Sequence, residues 1–166
     1  MLIGLGIYYV VDVFRSGDLT RKTEIIHITE EQRKQGVNFS FSMNGKNVEL
    51  KNLNAKVYLI NVWTTWCPNC IKEIPDLSAL YEKYKSQGVA IIGICLEDAD
   101  STETRFIELM KKLGAKNPMF FDKGAKIGQY LKAFYPASAA INAFPVSYIL
   151  DAKRNVKHFQ PGALHK

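Results

Sequence analysis

Cysteine is scarce in this chain, with three residues in 166. That is too few for a disulfide-stapled scaffold. Two of them form Cys67-Pro68-Asn69-Cys70, but no second C-x-x-C and no His pair accompanies them. Cys95, His27, His158 and His165 stand at no ligand spacing to that pair or to one another, so a four-ligand zinc site is not encoded and no metal is expected. Ile71 follows Cys70 where covalent haem attachment needs a histidine. Long apolar runs are also missing. Met1 to Val13 is apolar apart from Asp12, short of the roughly 20 residues that span a bilayer. It lacks the positive n-region and small-residue cleavage site of a secretory signal as well. The net charge is +6, yet basic residues cluster no more densely than Arg21-Lys22, Arg33-Lys34, Lys111-Lys112 and Lys153-Arg154. This describes a solvated basic surface, not a nucleic-acid-binding patch.

What is present suits one domain with a sizeable core, since 47% of residues are hydrophobic. Val57-Tyr58-Leu59-Ile60-Asn61-Val62 reads as a buried parallel strand. After Cys70, Ile71, Ile74, Leu77, Leu80, Tyr81 and Tyr84 recur at helical spacing, and Gly88 offers a stop. Cys67 therefore falls at a helix N-terminus, with Pro68 suited to the first turn. Unpaired N–H groups and the helix dipole favour a thiolate there. A thiolate attacks disulfides, and a second cysteine one turn later can resolve the mixed disulfide. A purely structural Cys67–Cys70 bridge would close a very short loop and constrain little of the unfolded chain.

The remaining pattern alternates strands and helices. Thr29 to Lys34 predicts a short helix within the polar stretch Asp18–Gly36. Val37, Phe39, Phe41 and Met43, an Asn44-Gly45 type I′ turn, and Val48 and Leu50 predict a β-hairpin. Val89 to Leu96 reads as a second buried strand, with Cys95 expected to act as a small hydrophobe. Asp100 and Glu103 resemble a capping box ahead of the helical face Phe106, Ile107, Met110 and Leu113, ended by Gly114. Met119 to Phe121 predicts a strand, and Ile127, Tyr130, Leu131 and Phe134 a short helix. Val146–Leu150 and Val156–Gln160 flank a hairpin loop. A mixed sheet with flanking helices follows. We expect residues 1–36 to be an apolar segment plus linker and 37–166 to be the domain.

Trp63 through Cys70, Lys72-Glu73-Ile74-Pro75 and Phe144 to Asp151 together resemble the thioredoxin superfamily, in particular its extracytoplasmic TlpA/ResA-type oxidoreductases. The resemblance covers about three-quarters of the chain, roughly Val37 to Gln160. It implies a thioredoxin-like α/β fold with an added N-terminal hairpin. It implies Cys67 as nucleophile, Cys70 as resolving thiol, and Pro145 as a cis-proline facing them. Trp66, Pro68, Asn69, Phe144 and Pro145 become the expected substrate-contacting residues, with the Tyr135–Ser138 loop nearby. No cofactor is implied. The implied partners are protein disulfides and an upstream thiol reductant, in a protein outside the cytoplasm and held at the membrane. Met1–Val13 then has three readings: the trailing part of an anchor, an interfacial helix, or a helix packed on the domain.

Two departures stand out. Only Gly162 to Lys166 follows Pro161, too short for the helix that normally closes this fold. Asn61 occupies the position of thioredoxin's buried proton-transferring aspartate, which leaves Glu73 and Glu97 as candidate acids. Other functions compete. A peroxiredoxin pocket would match at Thr64, but Ile60 stands where it needs proline. A non-catalytic binding module, or Cu(I) handling by the two sulfurs, is the alternative of a different class.

Overall fold

The computed structural model describes residues 26–43, 46–97, 102–138 and 143–164. Seven strands and four α-helices occur among them: α1 Glu30–Gln35, β1 Ser40–Met43, β2 Lys46–Glu49, β3 Val57–Trp63, α2 Pro68–Tyr84, β4 Val89–Glu97, α3 Thr104–Leu113, β5 Met119–Lys123, α4 Lys126–Phe134, β6 Val146–Asp151 and β7 Val156–Pro161. The central sheet runs β5-β4-β3-β6-β7, and β1-β2 form a separate antiparallel hairpin. β3, β4 and β5 are parallel, while β6 and β7 are antiparallel to their neighbours. Parallel neighbours require crossovers, which α2 and α3 supply. This is the expected thioredoxin-like fold with an N-terminal hairpin.

β3 lies in the middle because its residues are apolar on both faces. Tyr58, Ile60 and Val62 join the hairpin residues Phe39 and Phe41, and Leu131 and Phe134 of α4, in one core. Trp63 and Cys95, opposite each other in the β3–β4 register, join Cys67, Cys70 and Ile74 in a second cluster. Phe106, Leu109 and Met110 of α3 close over this second cluster. The α2 stripe is narrower than its spacing suggests: Ile74 and Leu77 are fully buried, while Leu80 is 38% exposed.

Several local expectations resolve differently. α3 begins at Thr104, with Glu103 as an N-cap that makes no side-chain bond, so no capping box forms at that residue. Its proposed partner Asp100 lies outside the described residues, as do the Asn44-Gly45 turn and Met1–Val13. A reciprocal capping box instead opens α1, where Gln32 N donates to Thr29 Oγ1 at 3.1 Å and Thr29 N to Gln32 Oε1 at 2.8 Å. After β7 the described chain runs to Leu164 without a further helix. No helix among the described residues is long and apolar enough to cross a membrane.

α1 is tied to the body of the fold. Arg33 donates to the Phe134 and Ala133 carbonyls at the end of α4. Arg154, in the β6–β7 loop, donates to the Val37 and Gln35 carbonyls. Gly36 joins α1 to this seam at φ 77°, ψ 172°, a region reserved for glycine. A Cβ there would collide with the Lys153 carbonyl. Gly36→Ala is therefore expected to cost about 2 kcal/mol or more in urea unfolding, as a strained-backbone substitution. An unchanged midpoint would contradict this placement.

Candidate active site

The β3–α2 junction carries the chemistry. β3 ends at buried Trp63, and the chain turns through Thr64, Thr65 and Trp66 before α2 begins at Pro68. Cys67 is the N-cap of α2, with Pro68 in its first turn. Cys67 N donates to the Thr64 carbonyl at 3.3 Å, and Cys70 N donates to Cys67 Sγ at 3.2 Å. A sulfur thus takes the place of the oxygen that usually caps a helix. Cys67 and Cys70 are joined by a disulfide and are 6% and 2% exposed. Cys67 is thus the slightly more exposed of two buried sulfurs, and Cys70 lies in the first turn of the helix.

Around the disulfide, Trp66 is 61% exposed and meets Phe144 edge-on, with ring centroids 5.8 Å apart. The Phe144–Pro145 peptide is cis and leads into β6, whose Val146 pairs with Val62. Pro145 therefore lies beside the end of β3 and the loop bearing the cysteines, and Phe144 packs against both cores. Pro68 and Asn69 are exposed on the first turn of α2. The fold thus gathers Trp66, Cys67, Pro68, Asn69, Cys70, Phe144 and Pro145 into one neighbourhood. The Tyr135–Ser138 loop contributes less than its sequence suggests. Ser138 is buried and accepts from Tyr148 Oη at 2.9 Å, and Tyr135 meets Tyr148 edge-on and packs at a tilt against Phe159; only Pro136 and Ala137 are exposed.

The two acidic candidates occupy different places. Glu73 is buried on α2, where Oε2 accepts from Asn61 Nδ2 at 3.3 Å and Oε1 from Leu164 N at 2.6 Å. Asn61 also donates to Ser147 Oγ at 3.1 Å. Asn61 is thus a relay between β6 and Glu73, not an acid. Glu97, at the end of β4, accepts from Thr65 N at 2.9 Å and from the Cys95 thiol at 3.8 Å through the same Oε1. Glu97 also lines an open cleft of about 260 Å³ with Thr64, Trp66, Gln129, Lys132 and Phe144. The contacts of Ser147, Leu164 and Thr65 join residues far apart in the chain and left no sequence signal.

Cys95 is fully buried beside the disulfide cluster. Burial pushes its thiol well above the ordinary range, and the nearby Glu97 carboxylate pushes further in the same direction. It stays protonated and serves as a packing group and hydrogen-bond donor, as expected of a buried free cysteine.

A disulfide at the N-terminus of the helix that follows a central strand, with a cis-proline leading into the strand beside it, defines a thioredoxin-like protein. The Redoxin family profile matches residues 29–166, and the chain belongs to that family. Among curated relatives, the thiol-disulfide oxidoreductase ResA of Bacillus cereus is 38% identical over 120 residues, covering 71% of this chain and 62% of that protein. ResA of Bacillus thuringiensis subsp. konkukian is 34% identical over 130 residues, covering 75% and 69%. The chain thus spans somewhat under two thirds of the length of the first of these relatives. A solved thiol:disulfide interchange protein of the thioredoxin family from Chlorobium tepidum superposes with a TM-score of 0.64 at 26% identity, covering 79% of this chain and 87% of that one.

The buried hydroxyl and thiol groups make stability sensitive to alkali. Burial raises the Cys95 thiol and the Tyr130 and Tyr148 phenols. The unfolded chain releases these protons at lower pH than the folded chain, so the folded state binds more protons in alkali. The contribution of the thiol should be fully present below about pH 8.5 and those of the phenols below about pH 10, each declining above that point by up to about 1.4 kcal/mol per pH unit. Urea unfolding between pH 8 and pH 10.5 checks this. Cys95→Ala should lower stability at every pH but flatten the decline that begins near pH 8.5, and an unaltered slope would remove Cys95 from the account.

Proposed function

We propose that the chain is a thiol–disulfide oxidoreductase that reduces protein disulfides outside the cytoplasm. The observation that carries this reading is the Cys67–Cys70 disulfide with Cys67 as the α2 N-cap. In the reduced protein, the helix N-terminus favours the Cys67 thiolate. That thiolate attacks one sulfur of a substrate disulfide, and the other sulfur leaves as thiolate and takes a proton. Cys70, once deprotonated, attacks Cys67 Sγ of the mixed disulfide and expels the second substrate thiolate. Two electrons have then passed to the substrate, and the Cys67–Cys70 disulfide must be reduced by an upstream dithiol.

Glu73 is the group we assign to the Cys70 proton. It lies one turn along α2 from Cys70 and is held by Asn61 and the Leu164 N–H. It thereby supplies the acid that Asn61 cannot be. Trp66, Pro68, Asn69, Phe144 and Pro145 form the docking surface, where exposed Trp66 offers apolar area and the Phe144 backbone offers strand-like pairing to an extended substrate segment. ResA-type kinship supports a thioredoxin-like unit carried at the outer face of a membrane, with the N-terminal apolar stretch in the tether.

Equilibration with glutathione buffers tests the reading. A reduction potential near the thioredoxin end, about −270 mV, fits a reductase. One near −120 mV would make the protein a disulfide donor, and no reversible disulfide at all would end the enzyme reading. Cys70→Ser should accumulate mixed disulfides with substrate, whereas Cys67→Ser should form none. Glu73→Gln should slow turnover by at least about tenfold near neutral pH while leaving substrate capture by the Cys70→Ser background intact. Equal loss of both steps would assign Glu73 a structural role.

A further inference from the structure

We propose that Glu97 is a positioning residue for Cys67, holding the active-site turn from the neighbouring strand so that Cys67 Sγ can cap α2. This inference rests on the oxidoreductase reading above. The turn from Thr64 to Trp66 leaves β3 with few bonds of its own. Its Thr65 N–H is buried and donates to Glu97 Oε1 at 2.9 Å, across the strand boundary from β3 to the end of β4. One residue earlier, the Thr64 carbonyl accepts from Cys67 N at 3.3 Å. One turn later, Cys70 N donates to Cys67 Sγ at 3.2 Å. These bonds form a continuous path from the Glu97 carboxylate to the reacting sulfur.

The carboxylate is itself held. Cys95, two residues before it on β4, presents its thiol to the same Oε1 at 3.8 Å. Because burial keeps that thiol protonated, it remains a donor throughout the working pH range. A buried backbone N–H left without an acceptor costs free energy comparable to a lost hydrogen bond, so a chain without this acceptor would turn Thr65 toward another partner. That motion would carry the Thr64 carbonyl and the Cys67 amide with it. Cys67 Sγ would then leave the N-cap position, and the thiolate would lose the Cys70 N–H and the helix dipole that stabilise it.

The charge of Glu97 acts in the opposite direction, since a nearby carboxylate disfavours a thiolate. Of the other titratable groups on the elements packed around Cys67, Cys70 and Cys95 share its buried cluster, Glu73 is buried on α2, Lys132 of α4 lines the cleft, and Lys72 and Asp76 of α2 are exposed. The α3 residues covering the cluster, Phe106, Leu109 and Met110, are apolar. Charge and geometry separate experimentally because Gln and Met both remove the charge at similar side-chain size, and only Gln keeps an oxygen for Thr65 N.

The test is the pH dependence of Cys67 alkylation by iodoacetamide in the reduced full chain, for wild type, Glu97→Gln and Glu97→Met, with thermal unfolding measured alongside. The Met variant is expected to titrate about one pH unit above the Gln variant, which is about a tenfold slower reaction below the titration range. The Gln variant should titrate at or below wild type. Coincident Gln and Met titrations would overturn the proposal. If the Met variant does not fold, Glu97→Asp, which keeps the charge but retracts the oxygen by one carbon, must titrate above wild type; coincidence with wild type overturns it equally. A wild-type protein in which neither thiol forms a reversible disulfide removes the oxidoreductase reading instead, a result separate from any difference among the Glu97 variants.

Discussion

The hydrogen bond from Cys70 N–H to Cys67 Sγ is the interaction on which the site depends. It exists because a cysteine occupies the N-cap of α2 at the point where the central strand ends. A helix N-terminus has unsatisfied donors whatever residue precedes it, and here a sulfur receives one of them. The same atom is therefore both part of the helix and the nucleophile of the proposed exchange. Anything that shifts the start of α2 relative to β3 shifts the chemistry.

The rest of the fold is arranged to prevent that shift. β3 is covered on both faces, by the hairpin and α4 on one side and by α2 and α3 on the other. Asp122 accepts from Gly128 N at 3.0 Å and so anchors the start of α4, the helix that lines the cleft beside Trp66. Arg33 and Arg154 stitch the N-terminal segment to the ends of α4 and β6 through main-chain carbonyls. Such charged donors to backbone acceptors are stronger than neutral pairs. The reactive edge is left comparatively bare, with Trp66 the largest exposed aromatic beside the sulfurs.

Two carboxylates serve two ends of this edge. Glu73 sits one turn along α2 from Cys70 and accepts from Asn61, itself bonded to Ser147, and from the Leu164 amide. Glu97, at the end of β4, binds the turn that leads to Cys67. In the proposed mechanism Glu73 on α2 supplies the acid that Asn61 on β3 cannot be, and the two side chains are hydrogen-bonded to each other.

The strands, the active-site helix and the redox pair were legible in the sequence because each depends on near neighbours. An apolar β-branched run, helical spacing after Cys70, and a proline at a first helical position are local properties, and Cys67 at the N-cap follows from them alone. The cis state of Pro145 was inferred only by resemblance, since nothing in Phe144-Pro145 by itself distinguishes it from a strand-start proline. The start of α3 at Thr104 escaped the pattern because Glu103 fits both the cap and the third helical position. What tertiary structure alone decided is which distant polar group meets which. Glu97 meeting Thr65, Glu73 meeting Leu164 N, and Tyr135 turning inward onto Tyr148 depend on strand order and register. Buried donors must find acceptors, but the sequence does not say from which strand they come until the sheet has formed.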